Sequence, residues 1–146
     1  MTMTTKDFLQ FVQERNGLVA PVGTPGKTTI ININLQHIKA ARLPDYMIEL
    51  YENCGCIKLG TGYIFGTTAF SRDGKHPIPT IFEINNELTN IQKLRGKTIF
   101  GRNDLFWFAF DVFGKCYMLD NLELNILREY DDPYRAMMDC LIGGKF

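Results

Sequence analysis

Four cysteines and two histidines are the side chains best equipped for covalent or metal chemistry in this chain. They are Cys54, Cys56, Cys116, Cys140, His37 and His76. A structural zinc site usually needs Cys-x₂₋₄-Cys and a second ligand pair. Cys54-x-Cys56 is too tight, and the other two cysteines stand alone, so free thiols and no metal site are expected. A thiol nucleophile needs a neighbouring base. No local signature marks a Cys–His pair, and no catalytic residue is assigned. Gly60-x-Gly62 runs on into Tyr63-Ile64-Phe65, a strand pattern and not a helix start, so it fails as a phosphate cradle. Gly-x-Ser-x-Gly is missing. Glu123, Glu129, Asp131 and Asp132 form an acidic cluster, but helix capping and the helix dipole account for two of them. No cofactor is expected.

Composition points the same way. A chain of 146 residues fits one domain with its own core. Sixteen basic residues balance sixteen acidic ones, so nothing draws the chain to nucleic acid. No apolar run reaches the length of a membrane span. The first residues, MTMTTKDFLQFVQERN, lack a signal-peptide core. A cytoplasmic protein with reduced thiols is expected.

The elements follow from periodicity. Thr4 or Thr5 caps a first helix, with Asp7 in the capping-box position. Phe8, Phe11 and Val12 share one face of it, and Asn16-Gly17 stops it. Residues 18–27 are rich in Pro and Gly and read as loop. TTIININ, residues 28–34, is β-branched and alternating, which predicts a short strand. A short helix over 35–42 is expected next. Pro44 opens a firmer helix with Met47, Leu50, Tyr51 and Cys54 on one face, and Gly55 is expected as its left-handed cap. Short strands are expected at 57–59, 63–65, 81–84 and 98–100. A helical turn is expected within 85–94, and an exposed variable loop over 67–79. Asp132-Pro133 begins a last amphipathic helix that Gly143-Gly144 closes.

The aromatic segment 106–120 predicts a hairpin. A three-residue loop places Gly114 in a left-handed bulge position, where positive φ falls on glycine. Asp111 then faces Lys115 as an opposite-charge pair, Phe110 faces Cys116, and Phe108 faces Met118. Phe106, Phe108, Phe110, Cys116 and Met118 form the core face. Trp107, Ala109, Asp111, Lys115, Tyr117 and Leu119 form a mixed face. A loop or the N-terminal segment covers it, or it stays partly open. In the open case Trp107, Tyr117 and Leu119 are the candidate partner-binding residues.

The order of motifs resembles the SUKH superfamily, which includes fungal cell-wall synthesis regulators and bacterial immunity proteins. Leu43-Pro44-Asp45-Tyr46 leads a helix to Asn53-Cys54-Gly55. Ile64-Phe65-Gly66, Ile99-Phe100-Gly101, the aromatic strand 106–111, Gly114, Tyr117-Met118-Leu119-Asp120 and an Asp-capped helix then follow. The match spans about 43–142, with residues 1–42 as an N-terminal extension. The helix end is one residue longer than the family's Asn-Gly. The resemblance implies a single α+β domain: a central, mostly antiparallel sheet with helices packed against it. It implies no enzyme activity and a protein partner, in bacteria a cognate toxin. Toxin-contacting residues vary within the family, so none transfers to this sequence. The alternatives are a regulatory or scaffold module, and a small enzyme using a cysteine or the acidic cluster. The near-zero net charge gives no overall acidic face for a basic nuclease. The oligomeric state is left open.

Overall fold

In a computed structural model, which describes residues 3–71 and 77–142, every neighbouring pair of strands is antiparallel. The strands are β1 (Leu18–Val19), β2 (Ile57–Leu59), β3 (Gly62–Ile64), β4 (Lys97–Arg102), β5 (Phe106–Asp111), β6 (Cys116–Asp120) and β7 (Ile126–Tyr130). They lie in one sheet in the order of the sequence. Among the described residues five helices flank or interrupt this meander: α1 (Thr5–Glu14), α2 (Lys27–His37), α3 (Asp45–Asn53), α4 (Ile81–Glu87) and α5 (Pro133–Leu141). The α+β class and the antiparallel sheet are as the sequence predicts. Among the described residues no helix is long and apolar enough to cross a membrane.

Local side-chain chemistry explains the starts of three helices, α1, α4 and α5. Thr4 accepts from the Asp7 N–H while the Asp7 carboxylate accepts from the Thr4 N–H, a complete capping box. Phe8 and Val12 are buried, and the Phe8 ring lies 5.4 Å from that of Tyr134 on α5. The Thr5 and Tyr134 hydroxyls are hydrogen-bonded, tying the first helix to the last. Asp132 caps α5 through the Tyr134 N–H, with Pro133 behind it. The helix then lies so close to the sheet that a Cβ on Gly62 would sit 2.4 Å from the Cys140 carbonyl oxygen. Gly143-Gly144, expected to close α5, lie outside the described residues.

Several expectations are corrected. Residues 28–34 are not a strand but most of α2. Ile31 and Leu35, at i and i+4, are buried, and Asn32 accepts from the Leu43 N–H. Burial on a helical face overrides the β propensity of isoleucine. The helix expected over 35–42 is only the end of α2; Lys39, at φ 60°, turns the chain away. Residues 81–84 are likewise helical. The signal was a second capping box, Thr80-x-x-Glu83. The helical turn expected within 85–94 is divided between the end of α4 and a 3₁₀ turn, Gln92–Leu94. Gly55 is not a left-handed cap: the helix ends at Cys54 in extended conformation. Glycine is needed there because a Cβ would sit 2.7 Å from the Pro21 carbonyl oxygen. Within the predicted loop, Thr67 and Ile78 are buried and Phe70 bridges to Ile78; residues 72–76 lie outside the described set. Leu18–Val19, read as loop, pair with β2.

The centre of the sheet is β4. Its register against β5 slips between Ile99 and Gly101, leaving Phe100 as an extra residue. The Phe100 ring joins Phe108 and Phe110 on the core face, with centroids 6.4 and 6.0 Å away. Only the far half of β4 pairs with β3. Beside the other half, the buried Asn85 side chain stands in for a strand. Its Nδ2 donates to the Ile99 carbonyl at 2.9 Å and to the Ile81 carbonyl, and its Oδ1 accepts from the Ile99 N–H at 2.8 Å. Asn85→Ala leaves both Ile99 groups without a partner. We expect it to cost about 2–3 kcal/mol, read as a lowered midpoint in urea unfolding.

Candidate protein-binding face

The 106–120 hairpin has the predicted register. Phe110 pairs with Cys116 and Phe108 with Met118, the Asp111 N–H donates to the Lys115 carbonyl, and Gly114 takes φ 81°. The Asp111 carboxylate does not pair with the Lys115 ammonium, however. It is held by the turn, accepting from the N–H groups of Phe113 and Lys115 and, at 2.7 Å, from the Tyr117 hydroxyl. Lys115 instead reaches Glu129 on β7, at 3.6 Å. Burial raises the pKa of Asp111, but the hydrogen bonds from Tyr117, Lys115 and Phe113 outweigh it and hold the pKa below the usual carboxylate value. The same bond pushes the Tyr117 phenol up to about 12.

The two faces divide less cleanly than their pattern predicts. Phe108, Phe110, Cys116 and Met118 are buried, as expected, while Phe106 is half-buried. On the mixed face Trp107 and Tyr117 are half-buried, but Ala109 and Leu119 are buried, and Leu119 is only 1% exposed. Leu119 is therefore not available to a partner. The cover comes from a direction the sequence did not indicate. Leu94 is buried in the core, and Lys93 beside it donates to the Glu123 carbonyl and Asn125 Oδ1 in the β6–β7 turn. The segment leading into β4 thus crosses the sheet and shields the middle of this face.

What remains open is a row of side chains in cross-strand register. Lys58 on β2 pairs with Tyr63 on β3, Tyr63 with Arg102 on β4, and Arg102 with Trp107 on β5. Each cation lies over its aromatic neighbour. The Lys58 ammonium is 5.2 Å from the Tyr63 ring centre and the Arg102 guanidinium 4.4 Å from that of Trp107. Further along, the Lys97 ammonium is 5.6 Å from the Tyr117 ring. Such pairs are worth about 0.5–1 kcal/mol each at exposed sites. The arrangement offers flat aromatic surface with charged edges, the residue types that dominate protein interfaces. Lys58, Tyr63 and Arg102 were missed in the sequence because their alignment depends on strand pairing and on the β4 slip.

The residues with chemical potential are placed otherwise. All four thiols are buried and free. Burial pushes Cys54 and Cys116 up to about 12 and raises Cys56 and Cys140. Cys116 contacts the Tyr46 hydroxyl at 3.2 Å, and Cys140 donates to the Tyr63 carbonyl. His37 is exposed at the end of α2, and His76 lies outside the described residues. Among the described residues no group of His, Cys, Asp and Glu could hold a metal ion. Of the acidic cluster, Asp132 caps α5, Glu129 faces Lys115 and Glu123 accepts from Asn125. In comparisons with known proteins, no family model and no curated protein matches the chain.

Two measurements check this geometry. A carboxylate with a lowered folded-state pKa adds stability above its unfolded pKa, about 3.9 for Asp, and that stability is lost as pH falls through the folded value. Asp111→Asn should therefore cost about 1 kcal/mol at neutral pH, and the deficit should shrink in acid-unfolding curves towards the lowest pH. Ellman's reagent should label the four thiols only at the rate of unfolding; a fast-reacting native thiol would contradict their burial.

Proposed function

We propose that this chain is an immunity-type binding protein that neutralises a cognate bacterial toxin by direct protein–protein contact. The observation that carries the reading is the half-exposed row Lys58, Tyr63, Arg102 and Trp107 on the open part of the sheet. Arg, Trp and Tyr in one patch are the anchors of protein interfaces. The motif order that resembles the SUKH superfamily supports the same reading, and in that role the chain would act in the bacterial cytoplasm, where thiols stay reduced. Blockade of the toxin requires no catalytic group of its own. The candidate residues become Trp107 and Tyr117, joined by Arg102, Tyr63 and Lys58.

Co-expression with a toxin domain encoded beside this gene should restore growth and yield a complex stable to gel filtration. Trp107→Ala should weaken that complex by roughly tenfold or more. If no toxin is encoded nearby, or growth stays arrested with the wild-type protein, the reading fails. A regulatory or scaffold role would show instead as a stable endogenous partner that is not a toxin.

A further inference from the structure

The row on the open sheet face holds cations without anions. From β1 to β7 the register runs Leu18, Lys58, Tyr63, Arg102, Trp107, Leu119 and Ile126. The chain has sixteen acidic residues, yet none stands in this row. Among the described residues the ion pairs are Lys115–Glu129 and Arg128–Asp139, and neither uses Arg102 or Lys58. The Arg102 guanidinium lies against the Trp107 ring, and a stacked guanidinium keeps its N–H edges for an acceptor in the ring plane. Lys58 donates one hydrogen bond, to the Gly60 carbonyl, and an ammonium has three donors. Stacking has fixed the geometry of both cations in advance, which lowers the ordering cost of taking up an anion.

A groove of about 410 Å³ opens beside Arg102. Tyr63, Phe65, Pro77, Ile78 and Pro79 supply apolar wall, and Asp104 stands on its lining without forming an ion pair to Arg102. We propose that this face binds an acidic segment of the protein partner, an Asp or Glu side chain on the Arg102 fork with an adjacent apolar side chain in the groove. The proposal rests on the immunity reading and names the chemistry its partner must present. A nucleic acid fits less well. Its backbone rewards many cations in line, whereas the row offers two and the chain has no net charge.

The test is selection of a displayed random peptide library on the full chain, in parallel on Arg102→Gln. Peptides rich in Asp and Glu should be enriched by the wild-type protein and not by the variant. A synthetic copy of a selected peptide should change the emission of Trp107, the one tryptophan of the chain. Its affinity should fall roughly tenfold on Arg102→Gln, less on Arg102→Lys, and further with added salt. Equal unfolding midpoints establish that the variants remain folded. The proposal is overturned if acidic residues are not enriched, if a folded Arg102→Gln binds the peptide unchanged, or if oligothymidylate binds more tightly than the peptide. Failure here with intact toxin neutralisation removes this inference alone, whereas a toxin that the wild-type protein does not neutralise removes the functional reading even if acidic peptides are selected.

Discussion

The extra residue in β4 is the constraint on which both faces of the sheet depend. Strand side chains alternate with a period of two, so one inserted residue reverses everything beyond it. Before the slip, Thr98 faces the core and donates to the Ala41 carbonyl, while Ile99 pairs with Ala109 on the opposite face. After it, Gly101 faces α5 and Arg102 turns to the open side beside Trp107. Without the slip, strict alternation would carry Arg102 into the core. The bulged residue itself is not wasted. The Phe100 ring packs with Phe108 and Phe110, and its carbonyl accepts from the Phe65 N–H.

The slip is held from its edge by Asn85. A sheet edge leaves N–H and C=O groups that need partners when buried. One carboxamide has a donor and an acceptor at the spacing of a neighbouring strand, so a single side chain on α4 completes Ile99. Helix α4 is positioned in turn by its own capping box at Thr80. The open face thus rests on a short chain of polar contacts reaching back to the segment before β4.

Polar and titratable groups elsewhere are consumed in holding the fold. Asp139, buried on α5, accepts from the Tyr130 hydroxyl and from Arg128, fastening the last helix to the last strand. Asp111 and Asp120 are spent on the turns that follow β5 and β6. The thiols fill core space, and burial suppresses the thiolate that nucleophilic chemistry would require. Arg102 and Lys58 differ from these groups in having an aromatic face beneath them and, among the described residues, no ion pair.

Wherever the determining physics is local, the sequence alone determined the outcome. Positive φ at Gly114 set the hairpin register, Thr4 with Asp7 and Asp132 with Pro133 set two helix starts, and alternation placed Phe108 and Phe110 in the core. Thr80 with Glu83 is an equally local signal for α4. Only tertiary structure decided the state of residues 28–34, because a helix and a strand both suit their apolar spacing and the burial of Ile31 and Leu35 chose between them. Tertiary structure also decided the binding face. Trp107 and Tyr117 were visible as candidates, but the burial of Leu119 requires a segment arriving from before β4, and the stacking of Arg102 on Trp107 requires a slip that no pattern in 97–102 announces. Both effects arise from contacts between segments distant in the chain, which periodicity and capping do not encode.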